Sequence, residues 1–138
     1  MDKALNYLAL ARKGSMAELG EEPVGAMART GKAYLILEAS DASDHTWRRA
    51  KSFAAGTAQQ CIRVRFTKDE LGFAIGRTSL AIAAITDAAL ALALVNALGE
   101  PEKYKAAIEV LSEKTEKLKK RRQEAKAHQR NVRFGKKK

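Results

Sequence analysis

Three short apolar runs, separated by segments of helical pattern, constrain the fold of this chain most. They are "AYLILEAS" (residues 33–40), "QCIRVRF" (residues 60–66) and "LAIAAIT" (residues 80–86). The first and third are almost continuously apolar, which is typical of strands covered on both faces. The second alternates, with Ile62, Val64 and Phe66 on one face and Cys61, Arg63 and Arg65 on the other. We therefore expect one strand from each run, the second with one face exposed to solvent.

Helical patterns fill the segments between these runs. We expect helices over residues 2–14, 20–30, 43–56 and 87–99, and a short helix that begins at Thr67 and ends at Gly72 or Gly76. Four of them begin at typical N-cap residues, which are Asp2, Ser43, Thr67 and Asp87. The stretch "SMAE" is too short for more than a brief strand. The alternation over residues 1–99 predicts an α/β fold, a three-layer α/β/α sandwich with a small mixed sheet.

A long helix follows this domain. Pro101 opens it and the pattern continues to about Gln129, so we expect a basic C-terminal helix over residues 100–129 and a disordered basic tail over residues 130–138. The apolar seam of the helix weakens halfway, because Thr115 and Arg122 stand at seam positions. The first half is expected to pack on the domain and the second half to project as a basic rod. A coiled-coil dimer is the rival interpretation, but the polar seam favours a monomer.

Positive charge is concentrated at the C-terminal end. The formal net charge is +10, and residues 101–138 contribute 14 Lys and Arg against 5 Asp and Glu. A basic block of this kind usually binds a polyanion, with nucleic acid ahead of an anionic membrane. The alternative is a solvated tail that only keeps the protein soluble. Since no apolar run is long enough for a membrane span and no signal-peptide pattern is present, we expect a cytoplasmic protein without a membrane partner.

Side chains that usually carry catalysis are scarce. The single cysteine, Cys61, lies in a strand, where a buried thiol is more common than a nucleophile. Neither histidine has metal ligands at suitable spacing, and no glycine-rich nucleotide loop is present. Asp41, Asp44 and Asp87 could form a carboxylate site at the strand ends, but helix capping explains them better. We therefore expect no enzymatic activity, no metal and no cofactor.

Several segments together resemble a family of ribosomal proteins. They are "LALARKG" (residues 8–14), "GEE" (20–22), "GKAYLILEASDAS" (31–43), "TKDELGFAIG" (67–76) and "AIAAITDAALALAL" (81–94), in order and without large gaps. The pattern is similar to the large-subunit ribosomal protein family that binds kink-turn RNA, the seven-Ae family, including its short bacterial YlxQ-type members. The resemblance implies an α/β/α sandwich that binds RNA without a cofactor or catalysis. It also implies that the start of the second helix enters the groove of a kink-turn and that the loop before the last strand covers an extruded base.

The RNA-contact motif of that family, Gly-Thr-Asn-Glu-x-x-Lys, falls on residues 20–26. Its glycine matches Gly20, but Glu21, Glu22, Pro23 and Ala26 replace its Thr, Asn, Glu and Lys. A carboxylate only accepts hydrogen bonds and Ala26 cannot reach a phosphate, so kink-turn recognition in the family's manner is predicted to be weaker. The two glutamates either stabilise the helix start alone, through the helix dipole, or also accept hydrogen bonds from a base.

The candidate RNA-binding residues form two groups. The first comprises Gly20, Glu21 and Glu22 at the helix start, with Arg77, Thr78 and Leu80 in the loop that matches the base-covering element. In that loop, Arg77 would stack on a base or hold a phosphate, unless it is an ordinary loop arginine, and Leu80 would cover a base. The second group lies on the basic helix and comprises Lys117, Lys119, Lys120, Arg121, Arg122 and Lys126.

These residues predict a non-catalytic, ribosome-associated protein that recognises structured RNA. Most of the affinity is expected to come from the basic helix, and ribosomal proteins are expected as further partners. The alternative is a protein interaction module that its tail tethers to the ribosome or to nucleic acid.

Overall fold

The computed structural model describes the backbone of residues 1–133 and the side chains of residues 1–130. The elements are α1 (Lys3–Lys13), β1 (Ala17–Leu19), α2 (Glu21–Arg29), β2 (Leu35–Glu38), α3 (Asp44–Ala54), β3 (Gln60–Arg63), α4 (Lys68–Ala74), β4 (Ile82–Ile85), α5 (Ala88–Ala97) and α6 (Lys105–Arg133). This order confirms the predicted α/β fold with a long C-terminal helix. It adds one regular element to the predicted order, strand β1.

The four strands form one mixed sheet in the order β1-β4-β2-β3. Strands β2 and β3 are parallel, and β4 runs antiparallel to both of its neighbours. Helices α1, α4, α5 and the first half of α6 pack against one face of the sheet, whereas α2 and α3 cover the other. Alternate residues of β2 and β4 enter the two cores, which explains why both strands are apolar throughout. The three layers predicted from the sequence are therefore present.

Local hydrogen bonds start the helices where the sequence predicted. The side chains of Asp2, Ser43 and Asp87 accept backbone N–H groups in the first turns of α1, α3 and α5. Thr67 and Glu70 form a reciprocal capping box at the start of α4. The Asp41 carboxylate accepts the Lys68 N–H at 2.8 Å. Asp41 and Asp87 thus serve helix starts, as the capping interpretation expects.

Helix α6 differs from the prediction at both ends. It begins at Lys105 rather than at Pro101, because the preceding residues form turns that place Tyr104 in the core, where its hydroxyl donates to the Arg63 carbonyl at 2.8 Å. It continues to Arg133, the last residue whose backbone the structure describes, and so extends beyond the predicted Gln129. The rest of the segment predicted to be disordered, residues 134–138, lies outside the described residues.

The two halves of α6 have different surroundings. Ala107 and Leu111 in the first half are buried against α5 and the sheet. All side chains of residues 119–130 are exposed. The prediction that the first half packs and the second half projects is therefore confirmed.

Candidate nucleic-acid interface

Helix α2 starts at the edge of the sheet. Its N-cap is Gly20, with a φ of 95°, which glycine adopts without steric strain. The Gly20 N–H donates to the Ile82 carbonyl at the beginning of β4, at 3.0 Å. Since the loop of residues 77–80 leads directly into β4, this bond brings the start of α2 and the loop to the same end of the sheet.

The loop of residues 77–80 is held close to α4. The Arg77 N–H donates to the Gly72 carbonyl at 2.8 Å, and the Leu80 N–H donates to the Lys68 carbonyl at 2.9 Å. A Cβ atom on Gly72 would lie 2.6 Å from the backbone nitrogen of Ser79. Only a glycine therefore lets the loop approach α4 this closely.

The predicted contact residues of this loop have different environments. Arg77 and Thr78 are exposed, so RNA can reach both side chains. Leu80 is only 4% exposed and packs in the core that α1, α4 and α5 form with the sheet. The prediction that Leu80 covers an extruded base is therefore wrong, because its side chain points into that core.

Glu21 forms an ion pair that the sequence did not predict. Its Oε1 atom lies 2.8 Å from Nε of Arg49 in α3, and both side chains are partly exposed. The Arg49 guanidinium also lies over the Phe53 ring, 5.4 Å from its centroid. An exposed pair of this kind stabilises the fold by about 1 kcal/mol at most. Its main consequence is that Glu21 and Phe53 fix the orientation of Arg49 beside α2.

Arg49 places a positive charge near the start of α2. Its Nε faces Glu21, and no described residue accepts a hydrogen bond from its Nη groups. Paired donors of this kind suit a phosphate, which arginine often binds in a bidentate manner. Sequence reasoning missed this residue: the cations of "TWRRAK" are visible in the sequence, but nothing local shows which of them faces α2. Glu22, one residue further into α2, is exposed.

A buried carboxylate fixes α3 against the sheet. Glu38, at the end of β2, is 0% exposed and accepts a hydrogen bond from Nε of Arg63 at 3.1 Å. Its Oε2 atom has no hydrogen-bond partner among the described residues, and burial raises the pKa of this carboxyl, although Arg63 opposes the shift. Arg63 and Lys51 both lie over the Trp47 ring, at 4.9 and 5.4 Å from its centroid. This cluster holds α3, and with it Arg49, in place.

The six predicted cations of the basic helix are all exposed, and helical spacing divides them into two groups. Residues three or four positions apart share one side of a helix. On one side, four cations follow one another three or four positions apart, and we call them the cationic stripe: Lys119, Arg122, Lys126 and Arg130. The other side mixes both signs: Lys117, Lys120 and Arg121 with Glu113, Glu116 and Glu124. The stripe begins in a groove of about 280 Å³ between α6 and the start of α5, where Lys119 and Arg122 lie near Asp87.

The structure does not bring the two predicted groups into one surface. Helix α6 lies on the α1–α5 face of the sheet, whereas α2 and α3 cover the opposite face. The groove beside Asp87 follows the end of β4, and the loop of residues 77–80 precedes its start. An RNA that contacts both groups therefore has to extend along the sandwich from one end of β4 to the other.

The part of the chain that the structure describes gives little support for a metal site, a nucleophilic cysteine or a membrane-spanning helix. Within it, no three His, Cys, Asp or Glu side chains are grouped so that they could hold a metal ion. Burial raises the pKa of the half-buried Cys61 thiol to about 12, so the thiol is protonated at neutral pH and a poor nucleophile. None of the helices within residues 1–133 has the length and apolar character needed to cross a membrane.

Comparison with known proteins identifies relatives of the fold. No family model and no curated protein sequence matches the chain. The structure is similar to a protein of unknown function from Bacillus halodurans, with 28% sequence identity and a TM-score of 0.66 over 72% of this chain and 100% of that one. It is also similar to the 15.5 kD RNA-binding protein of Giardia lamblia, with 20% identity and a TM-score of 0.59 over 75% of this chain and 85% of that one. The chain therefore shares its α/β/α sandwich with both proteins.

Proposed function

We propose that this chain is a non-catalytic, ribosome-associated protein that binds structured RNA and owes most of its RNA affinity to α6. The observation that carries the proposal is the cationic stripe, on a helix half whose side chains are all exposed from residue 119 to residue 130. Lys and Arg at helical spacing on one side of an exposed helix favour contact with successive phosphates. The fold supports the same function, because the similar Giardia protein is an RNA-binding protein.

The folded domain supplies a second, weaker contact in this proposal. Gly20, Glu22, Arg77 and Thr78 lie at one end of the sheet, and Arg49 adds a phosphate contact from α3. Glu21 acts through Arg49 and does not touch RNA itself. A kink-turn is the RNA shape to test first, with Arg49 in the role of the family's missing lysine.

Filter binding to a kink-turn RNA and to a plain duplex tests the role of α6. If about six phosphates are neutralised, log K should fall with log salt with a slope of about −4 to −5. Deleting residues 113–138 should remove most of the affinity for both RNAs, because it removes the stripe but keeps Leu111 and the core. Affinity that survives this deletion unchanged would contradict the proposal.

Two neighbouring arginines test the contact of the folded domain. Arg49→Gln should weaken binding of the kink-turn RNA roughly tenfold, because it removes a charge-assisted hydrogen bond to phosphate. Arg48→Gln is the matched control, since Arg48 is exposed on the same helix and loses the same charge. Equal effects of the two variants would exclude an oriented contact at Arg49.

Cross-linking separates this proposal from the alternative of a protein interaction module tethered by its tail. RNA adducts on Arg77, Arg49 and the start of α2, together with adducts on α6, support RNA recognition by the folded domain. Adducts confined to α6 support the alternative, in which the sandwich binds a protein.

A further inference from the structure

An apolar groove with acidic edges lies on the α1–α4 side of the molecule, and none of the candidate RNA-contact residues lines it. We call it the Phe73 groove. It has a volume of about 590 Å³ and is lined by Met1, Asp2, Leu5, Phe66, Asp69, Glu70 and Phe73. This volume falls within the range of about 300–1,000 Å³ that is usual for binding pockets.

Phe73 is the unusual residue of this groove. Its side chain is 77% exposed, more than any other large apolar side chain in the described part of the chain. Leu5 and Phe66 beneath it are 8% and 7% exposed and belong to the core. Phe73 therefore adds little to the packing of the domain, and together with the groove floor it offers an aromatic surface to a partner.

The charged side chains that line the groove are all carboxylates, although the chain carries a net charge of +10. Asp2 is already neutralised, because its Oδ2 atom lies 2.8 Å from the Arg65 guanidinium. Glu70 uses Oε1 to accept the Thr67 N–H at 2.9 Å, which leaves Oε2 without a hydrogen bond to any described residue. The Asp69 carboxylate, which also lines the groove, has neither a hydrogen bond nor an ion pair within the described residues. Asp69, Glu70 and Phe73 share one face of α4, since they stand three and four positions apart.

This lining disfavours a polyanion and suits a partner that combines a cationic group with an apolar side chain. Asp69 and Glu70 would repel phosphates, and no Lys or Arg side chain lines the groove to offset this repulsion. A peptide that places an aromatic or aliphatic side chain against Phe73 would bring flanking Lys or Arg side chains to the two carboxylates. We propose that the Phe73 groove binds a cationic, apolar-containing peptide segment of a partner protein. The proposal does not depend on RNA binding.

Fluorescence anisotropy with the full-length chain and a labelled synthetic peptide, Arg-Lys-Phe-Gly-Lys-Lys, tests this inference at physiological ionic strength. Phe73→Ser and Asp69→Lys should each weaken peptide binding about tenfold or more. Leu10→Ser and Glu109→Lys are the matched controls, because they make the same kinds of change at exposed positions outside the groove, and they should change binding less than twofold. A peptide in which Ser replaces Phe should bind the wild-type protein as weakly as the original peptide binds Phe73→Ser.

Two results would overturn the inference. The first is that Phe73→Ser binds the peptide as tightly as the wild-type protein does, which would mean that peptide binding does not use the groove. The second is a full-length dimer, seen by sedimentation velocity and lost in Phe73→Ser, which would make a second copy of this chain the occupant. RNA affinity should stay at the wild-type level in Phe73→Ser, so failure of the peptide test and failure of the RNA proposal are separate results.

Discussion

Glu38 is a charged residue that is fully buried at the end of β2. Its side chain is 0% exposed, and its ion-pair partner Arg63 keeps about a third of its own side chain in solvent. Removing a carboxylate from water costs several kcal/mol, and one ion pair rarely returns more than this. The pair is therefore better explained by orientation than by net stability, because it holds the Arg63 guanidinium over the Trp47 ring.

A double-mutant cycle tests this explanation. Arg63→Met should lower the free energy of unfolding by about 3 kcal/mol, because it leaves a buried carboxylate without its cation. Glu38→Leu combined with Arg63→Met should return stability to within about 1 kcal/mol of wild type, since both charges are gone. Urea unfolding of the two variants and of Glu38→Leu alone gives the coupling energy. If the double variant is as unstable as Arg63→Met, the cost does not come from the unpaired carboxylate.

The same residue predicts a pH dependence. Burial raises the pKa of Glu38 above its ordinary value of 4.5, so above that pH the folded chain keeps a proton that the unfolded chain has released. Stability must then fall as pH rises from about 4.5 to the folded pKa, by at most about 1.4 kcal/mol per pH unit. The side chain of Glu38→Gln does not ionise. Wild type should therefore lose stability relative to Glu38→Gln over the same pH range. The urea midpoints of both proteins, measured between pH 4 and neutral pH, give this difference in stability. If wild type instead gains stability relative to Glu38→Gln as pH rises, the pKa of Glu38 is lowered rather than raised.

At the scale of elements, α4 and the loop of residues 77–80 form one unit. Gly72→Ala should lower the free energy of unfolding by about 1–3 kcal/mol, because the added methyl group would lie 2.6 Å from the Ser79 nitrogen and must displace the loop. Cross-linking of RNA to Arg77 should fall in the same variant. Phe73→Ala on the same helix is the control, and as an exposed position it should stay within about 0.5 kcal/mol of wild type. If the two variants are equally stable, the loop moves away from the added methyl group without a loss of stability.

Local signals explain which elements could be predicted from the sequence. Helices α1, α3, α4 and α5 were predictable because each carries its own N-cap residue and a glycine stop within a few positions. Strand β1 has three residues and no periodicity, and it is fixed by its pairing with β4, about 65 residues away, which no local pattern reveals. The start of α6 was predicted too early. Pro101 is typical of a helix start, but the residues that follow it form a turn that buries Tyr104.

The candidate site was less predictable than the fold for the same reason. Glu21 pairs with Arg49, and Glu38 pairs with Arg63, across separations that no helical or strand spacing rule covers. Leu80 was assigned to RNA from the resemblance, but its burial depends on how the loop lies over α4. Phe73 is exposed, although an apolar residue in a helical pattern normally lies in the core.

At the scale of the whole molecule, charge is sorted by surface. The Phe73 groove is acidic, the start of α2 combines two glutamates with Arg49, and the cationic stripe lies on the projecting half of α6. A uniformly basic protein would bind RNA through any of these surfaces. The observed sorting instead predicts that one side of one helix supplies most of the affinity.

Two triple variants with the same net charge test this prediction. Lys119, Arg122 and Lys126 changed together to Gln remove three charges from the stripe, whereas Lys117, Lys120 and Arg121 changed to Gln remove three from the side that already carries glutamates. The stripe variant should lose far more RNA affinity, and its salt slope should become shallower by about 2 to 3, because three phosphate contacts are lost. The other variant should keep a slope within about one unit of wild type, since its cations are partly neutralised by Glu113, Glu116 and Glu124. Filter binding over a salt series measures both slopes, and equal losses would mean that α6 acts as a diffuse polycation without a preferred side.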